Sequence, residues 1–181
     1  MKALDRRIYS AAIHPSDHKL LTAFGDVDGN LAIWTPATDK KSSKGYTGNT
    51  SENGIDLCVY RPHKQAITKI QFHPIHHTKL ISSSFDGHIR EFDLSSGEMK
   101  EMYEYVDGDN YGLTSFSLRK EDSSIYYISC ESGAVHIFDS RSASDSAQRI
   151  QIHQKKINTG TCFNLLFKYY SYGPSADYCF L

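Results

Sequence analysis

One sentence written three times is the strongest constraint in this chain. The segment ITKIQFHPIHHTKLISSSFDGHIREFDLS, residues 67–95, lies over LTSFSLRKEDSSIYYISCESGAVHIFDSR, residues 113–141, at a constant offset of 46 without a gap. That offset places Ile67 on Leu113, Ile70 on Phe116, Phe72 on Leu118, Gly87 on Gly133, Phe92 on Phe138 and Asp93 on Asp139. IYSAAIHPSDHKLLTAFGDVDGNLAIW, residues 8–34, joins them at an offset of 59 through His14-Pro15 and of 58 after one extra residue, with Gly29 on Gly87 and Trp34 on Phe92. A fixed period of this size belongs to units that cannot bury their apolar faces alone and do so by stacking on neighbours.

Within each copy the apolar residues alternate over short runs, ITKIQF, KLISSS and HIREFDL, with a tight Asp-Gly turn between the last two. A fourth strand is available in each connection: IDLCVYR, KEMYEYV and QRIQIH. Four short antiparallel strands per unit of about 46 residues predict an all-β chain of propeller blades. The boundaries fall at about 8–63, 67–109 and 113–153, giving a partial ring over 1–157 with the start of a fourth blade. Residues 158–181 lose the pattern and form an atypical, aromatic-rich tail.

Composition narrows the function classes. Twenty Lys and Arg against 21 Asp and Glu leave a net charge of -1, so no chain-wide basic field exists and any nucleic-acid contact is a local patch. Cys58, Cys130, Cys162 and Cys179 form no C-x-x-C pair, which argues against a zinc ribbon and for a reducing compartment. No run approaches the ~18 apolar residues of a membrane span, and the first ten residues lack the apolar centre of a secretory signal. A repeat that begins so near Met1 and a tail that abandons the pattern predict a piece of a longer, truncated protein. Without the rest of the ring, marginal stability or self-association is expected.

No catalytic or cofactor motif stands out, and no enzyme activity is expected. His73, His76 and His77 occupy a His-Pro turn without a carboxylate or Cys at a matching spacing, so no metal is assigned. GDVDGN places its Gly at the fourth position of a would-be calcium loop rather than the sixth, and reads as a hairpin turn. The stretch 35–54, rich in Ser, Thr, Lys and Gly, reads as a mobile loop.

Ser84, Asp86, Ile89, Phe92 and Asp93, with His63 four positions before Ile67, resemble a WD repeat with Phe in place of Trp. The resemblance implies a structural hydrogen-bonded network of His63, Ser84, Asp86 and Phe92. His153, four positions before Ile157, repeats the spacing and announces the next blade. Departures mark the other copies: Asp109 stands where a His is expected, Glu131-Ser132 replaces Phe85-Asp86, and IWTP lacks the final Asp.

RRIYSAAIHPS, GDVDGNLAIW and the second copy together resemble the WD repeat-containing protein 76 family. Its yeast members are called Cmr proteins, and it is related to the small subunit of the damaged-DNA-binding complex. That resemblance implies a nuclear, chromatin-associated propeller that binds damaged or modified DNA, has chromatin proteins as partners, and serves as a substrate receptor for a cullin-RING ubiquitin ligase. Phe138-Asp139-Ser140-Arg141 is similar to the W-D-x-R ending of such receptors. Asp139 and Arg141 then either contact the ligase adaptor or cap a strand end and pair with each other. For DNA, the candidates lie on the rim formed by inter-blade loops and hairpin turns: Arg61, Lys64, Arg90, Lys155 and Lys156. The alternative is a protein-interaction scaffold without DNA preference, which the near-zero net charge favours.

Overall fold

The computed structural model describes residues 4–16, 20–36, 49–50, 55–105, 112–119, 122–142, 146–163, 166–170 and 179–180. These residues are organised in four antiparallel sheets laid side by side. The first contains β1 (Ile8–Ile13), β2 (Thr22–Asp26), β3 (Leu31–Pro36), β4 (Asn49–Thr50) and β5 (Ile55–Tyr60), in the order β1-β2-β3-β5-β4. The second runs β6 (Ile67–Phe72), β7 (Lys79–Ser84), β8 (His88–Asp93), β9 (Met99–Glu104). The third runs β10 (Leu113–Leu118), β11 (Ile125–Cys130), β12 (Ala134–Asp139), β13 (Gln148–Gln151). Strands β14 (Thr159–Phe163), β15 (Leu166–Tyr170) and β16 (Cys179–Phe180) make the fourth.

The first strands of successive sheets are neighbours, β1 beside β6, β6 beside β10 and β10 beside β14, which is the radial order of blades around an axis. The chain is thus a partial β-propeller. The connections read as fourth strands supply β5, β9 and β13. The Ser- and Thr-rich stretch adds one detail that alternation does not signal, since Asn49 and Thr50 pair with Leu57 and Asp56 as a fifth strand. Most of that stretch, and Asp109, lie outside the described residues. The tail, despite its irregular sequence, supplies all of β14 to β16.

Packing occurs between blades rather than within them, because a single sheet has two faces and no third element of its own to cover them. Ala23, Leu31 and Ile33 of the first blade meet Ile67, Ile70, Phe72, Leu80 and Phe92 of the second. The second blade turns Ile81, Ile89 and Tyr103 the other way, onto Leu113, Phe116, Tyr126, Ile128 and Phe138 of the third. Gly25 permits the first of these contacts, since a Cβ there would lie 2.7 Å from the Ile67 Cβ. Polar groups join the blades too: Ser10 Oγ accepts the Ile70 amide at 2.8 Å, and the largely buried Lys69 ammonium donates to the Phe116 carbonyl at 2.5 Å. Burial pushes the Lys69 pKa down.

Two irregularities recur and shape one rim. In the first three blades the register of the first strand shifts at its second residue, so Tyr9, Thr68 and Thr114 are bulged out of the ladder. In the same three blades the hairpin between the second and third strands turns on a glycine of positive φ, Gly29 (86°), Gly87 (86°) and Gly133 (80°), a region costly to any residue with a Cβ. Bulges and turns lie at the same end of the blades, where the inter-blade loops also return.

Candidate nucleic-acid interface

The rim is organised by the loop between the first two blades. The His63 amide donates to the Gly29 carbonyl in the first blade's turn at 3.3 Å, while its imidazole belongs to the second blade. Its Nδ1 lies 3.1 Å from Asp86 Oδ2 and its Nε2 lies 2.9 Å from Ser82 Oγ. With both side chains almost wholly buried, burial holds the His63 pKa below its ordinary value despite the Asp86 carboxylate. The neutral ring donates from Nδ1 to Asp86 and accepts the Ser82 hydroxyl at Nε2. Burial pushes Asp86 up, but the hydrogen bond from His63 and the amides of Lys64 and His88 outweigh it, holding the carboxyl well below the usual range.

Ser82 is therefore the hydroxyl that meets the ring, a role the sequence suggests for Ser84. The two serines share a face of β7, two residues apart. Ser84, nearer the turn, instead donates to the Gln65 carbonyl at 3.0 Å and accepts the Asp86 amide at 3.1 Å. Phe92 has no polar group to offer and stacks against Tyr60 with ring centres 4.7 Å apart.

The candidate cations fall into two sets. Arg90 is drawn inward: it donates to the Pro62 carbonyl, lies 3.6 Å from Asp86 Oδ2 and 2.9 Å from Glu101 Oε2. Lys156 is bound to Glu131 Oε1 at 2.6 Å and its ammonium sits 4.4 Å from the centre of the Phe85 ring. Arg61, Lys64 and Lys155 are exposed. Among the described residues, none of these three has an ion-pair partner. The backbone of two of them is nevertheless held: the Lys64 amide donates to Asp86 at 2.9 Å and the Lys155 amide to His153 Nδ1 at 2.9 Å. His153 also repeats the backbone contact of His63, its amide donating to the Gly133 carbonyl at 3.0 Å. The turn its ring would meet lies outside the described residues.

Three residues that the sequence reading passed over complete the rim. Arg7, Tyr9 and Phe85 line, with Arg61 and Lys64, a concavity of about 340 Å³ between the first two blades. The Arg7 guanidinium lies over the Tyr9 ring at 5.3 Å, and the Tyr9 and Phe85 rings meet edge to face at 6.1 Å. The same first blade replaces the His63–Asp86 pair with an exposed ion pair, Arg6 to Asp28 at 3.0 Å.

Asp139 ends β12 at its far end and Arg141 follows just beyond, away from this rim. Arg141 binds Asp139 at 2.6 Å and Asp122 at 3.2 Å, and Asp139 is held below its usual pKa by the Arg141 side chain and amide. His88, Glu101 and Glu104 bring three ligand atoms within 4.8 Å of one another, but Glu101 is already bound by Arg90, so the group reads as an ion-pair ladder. No helix among the described residues is long and apolar enough to cross a membrane.

Radial sheets, glycine hairpins and a buried His–Asp–Ser relay define a WD-repeat propeller segment, and residues 54–93 match the family "WD domain, G-beta repeat". Over most of its length the chain is homologous to proteins named DNA damage-binding protein CMR1 and WD repeat-containing protein 76. It is 31% identical to the CMR1 protein of Phaeosphaeria nodorum over 87% of this chain and 31% of that protein. It is 29% identical to the WD repeat-containing protein 76 of Rhinolophus ferrumequinum over 84% of this chain and 22% of that protein, and 27% identical to that of Xenopus laevis over 87% and 25%. The chain thus spans between about a fifth and a third of the length of these relatives.

Proposed function

We propose that this chain is a non-enzymatic, nuclear DNA-binding part of a WD-repeat protein of the DNA damage response. The observation that carries the reading is the division of the rim cations: Arg90 and Lys156 are neutralised within the protein, whereas Arg61, Lys64 and Lys155 have no carboxylate partner among the described residues, and the last two project from backbone that is itself hydrogen-bonded. Cations so placed meet phosphates at a small ordering cost, because their loops are already fixed. The names of the relatives point the same way.

The test is fluorescence anisotropy of this chain with intact and ultraviolet-irradiated duplex, at two salt concentrations. Tighter binding to the irradiated duplex, weakening with salt, is expected. Changing Arg61, Lys64 and Lys155 together to Glu should abolish it, since each phosphate contact contributes about -0.9 to the salt slope. Binding that is absent in a folded sample, or indifferent to salt and to the triple change, overturns the proposal.

Asp139 and Arg141 are the proposed contact for a cullin-RING ligase adaptor, with chromatin proteins as further partners. Arg141 keeps 62% of its side chain exposed while paired, so an adaptor carboxylate can compete for it. Arg141→Ala should lose adaptor capture without altering DNA binding. A second reading, a protein-interaction scaffold without DNA preference, is favoured by the net charge of -1 and by an apolar cavity of about 320 Å³ walled by Leu21, Ile33, Tyr60, Phe92 and Leu94.

A further inference from the structure

The bulge position separates the first blade from the other two. In the second and third blades it is a threonine folded back onto its own sheet: Thr68 Oγ1 lies 3.0 Å from Ser83 Oγ, and Thr114 Oγ1 lies 3.0 Å from Ser129 Oγ. In the first blade the pair becomes Tyr9 and Gly25. Gly25 answers to packing against Ile67, but nothing in the sheet calls for Tyr9, which leaves 44% of its surface to solvent. A bulge re-aims a side chain, and here it aims an aromatic ring into the concavity shared with Arg7, Arg61, Lys64 and Phe85.

We infer that the Tyr9–Phe85 ledge stacks an unpaired nucleobase while Arg7, Arg61 and Lys64 hold the adjoining phosphates, so that this rim prefers single-stranded or locally unpaired DNA to continuous duplex. The inference rests on the nucleic-acid reading above and names its substrate class. Aromatic rings set among cations are the means by which proteins grip strands whose bases are free to splay, because every base has a π face. A continuous duplex hides those faces in its stack. Arg7 over Tyr9 and Lys156 over Phe85 make the ledge positive, which disfavours a methylated-lysine cation and favours an aromatic ligand with anionic neighbours. Asp28 also lines the concavity but is paired with Arg6, so Arg7, Arg61 and Lys64 leave it suited to a ligand that is aromatic and anionic at once.

The test compares anisotropy with a labelled single-stranded oligonucleotide, a fully paired duplex, and a duplex carrying a central three-base unpaired loop. Tyr9→Thr installs the residue the other blades use and so preserves the fold. Loss of one stacking contact should weaken single-strand and looped-duplex binding roughly 5- to 150-fold and leave the intact duplex nearly unchanged. As a readout independent of any variant, photo-cross-linking of the unaltered chain to an iodouracil-substituted strand should mark the peptides holding Tyr9 or Phe85. Unchanged affinities in Tyr9→Thr, or cross-links confined to other peptides, overturn the ledge while leaving the phosphate reading intact. If instead the Arg61, Lys64 and Lys155 to Glu variant binds all three ligands normally, the nucleic-acid reading itself falls.

Discussion

The second and third blades superpose residue for residue at an offset of 46, yet they fill the same space differently. Where the second sets Ser82, Asp86 and Arg90 around His63, the third has Ile128, Ser132 and His136. Ile128 is fully buried in the shared apolar core, and His136 Nδ1 turns to the Tyr103 hydroxyl of the neighbouring blade at 2.6 Å. A blade therefore forms without the relay. What the relay adds is local: it fixes the Lys64 amide, the Asp86 turn and the Arg90 side chain in one arrangement at the rim. Polar burial of this kind stabilises less than apolar packing of equal volume, but it specifies geometry.

The sharpest way to break the comparison is to remove the buried carboxylate. Asp86→Ala should cost about 1–3 kcal/mol for each donor it leaves without an acceptor, the buried His63 Nδ1–H and the Lys64 and His88 amides. Ser132→Ala at the matching turn should shift the urea midpoint only slightly. Equal losses at the two sites would show that both blades depend on the turn rather than on the relay.

Next in size are the turn glycines. A Cβ at Gly133 or Gly29 would lie 2.0 Å from the His153 carbonyl oxygen or 2.2 Å from that of His63, whereas at Gly87 the nearest atom is 3.6 Å away. Gly87→Ala should therefore cost the ~1–2 kcal/mol of left-handed backbone. Gly133→Ala and Gly29→Ala should cost distinctly more, as read by thermal denaturation, since carbonyls in the returning loop must move.

The pH response is smaller. His63 is held below its ordinary pKa by burial, so the unfolded chain takes up a proton near pH 6.5 that the native state refuses, and stability falls with pH below that point. Asp86 adds a further loss as the pH falls below the ordinary carboxylate value of 3.8, because its native pKa lies lower still. His73, also depressed by burial, acts in the same direction as His63. Urea midpoints between pH 7.5 and pH 5 should fall less steeply for His63→Gln than for the unaltered chain. Smallest of all, Arg141→Ala should leave the midpoint unmoved, because its ion pairs are at the surface.

The blades were legible because alternation and turn chemistry repeat at a fixed period, and the candidates for the relay were legible through His63 and Asp86. The choice of Ser82 over Ser84 was not, since both lie on one face of a strand and only the reach of the ring selects between them. Tyr9 was hidden for a different reason. The offset of 59 sets it against Thr68, but its importance lies in a register shift that no hydrophobic pattern records. The fate of Arg90 and Lys156 depends on partners brought close by the fold, Glu101 directly opposite on the adjacent strand and Glu131 from an earlier turn.

The loop carrying His63 has one last consequence. Its backbone is fastened to the turn of the sheet before it and its ring to the sheet after it, so the joint overlaps as in lapped timber. Cutting the chain between Tyr60 and Ile67 would therefore loosen two blades at once, and a protein trimmed at a sheet boundary would lose the fastening that its neighbour needs.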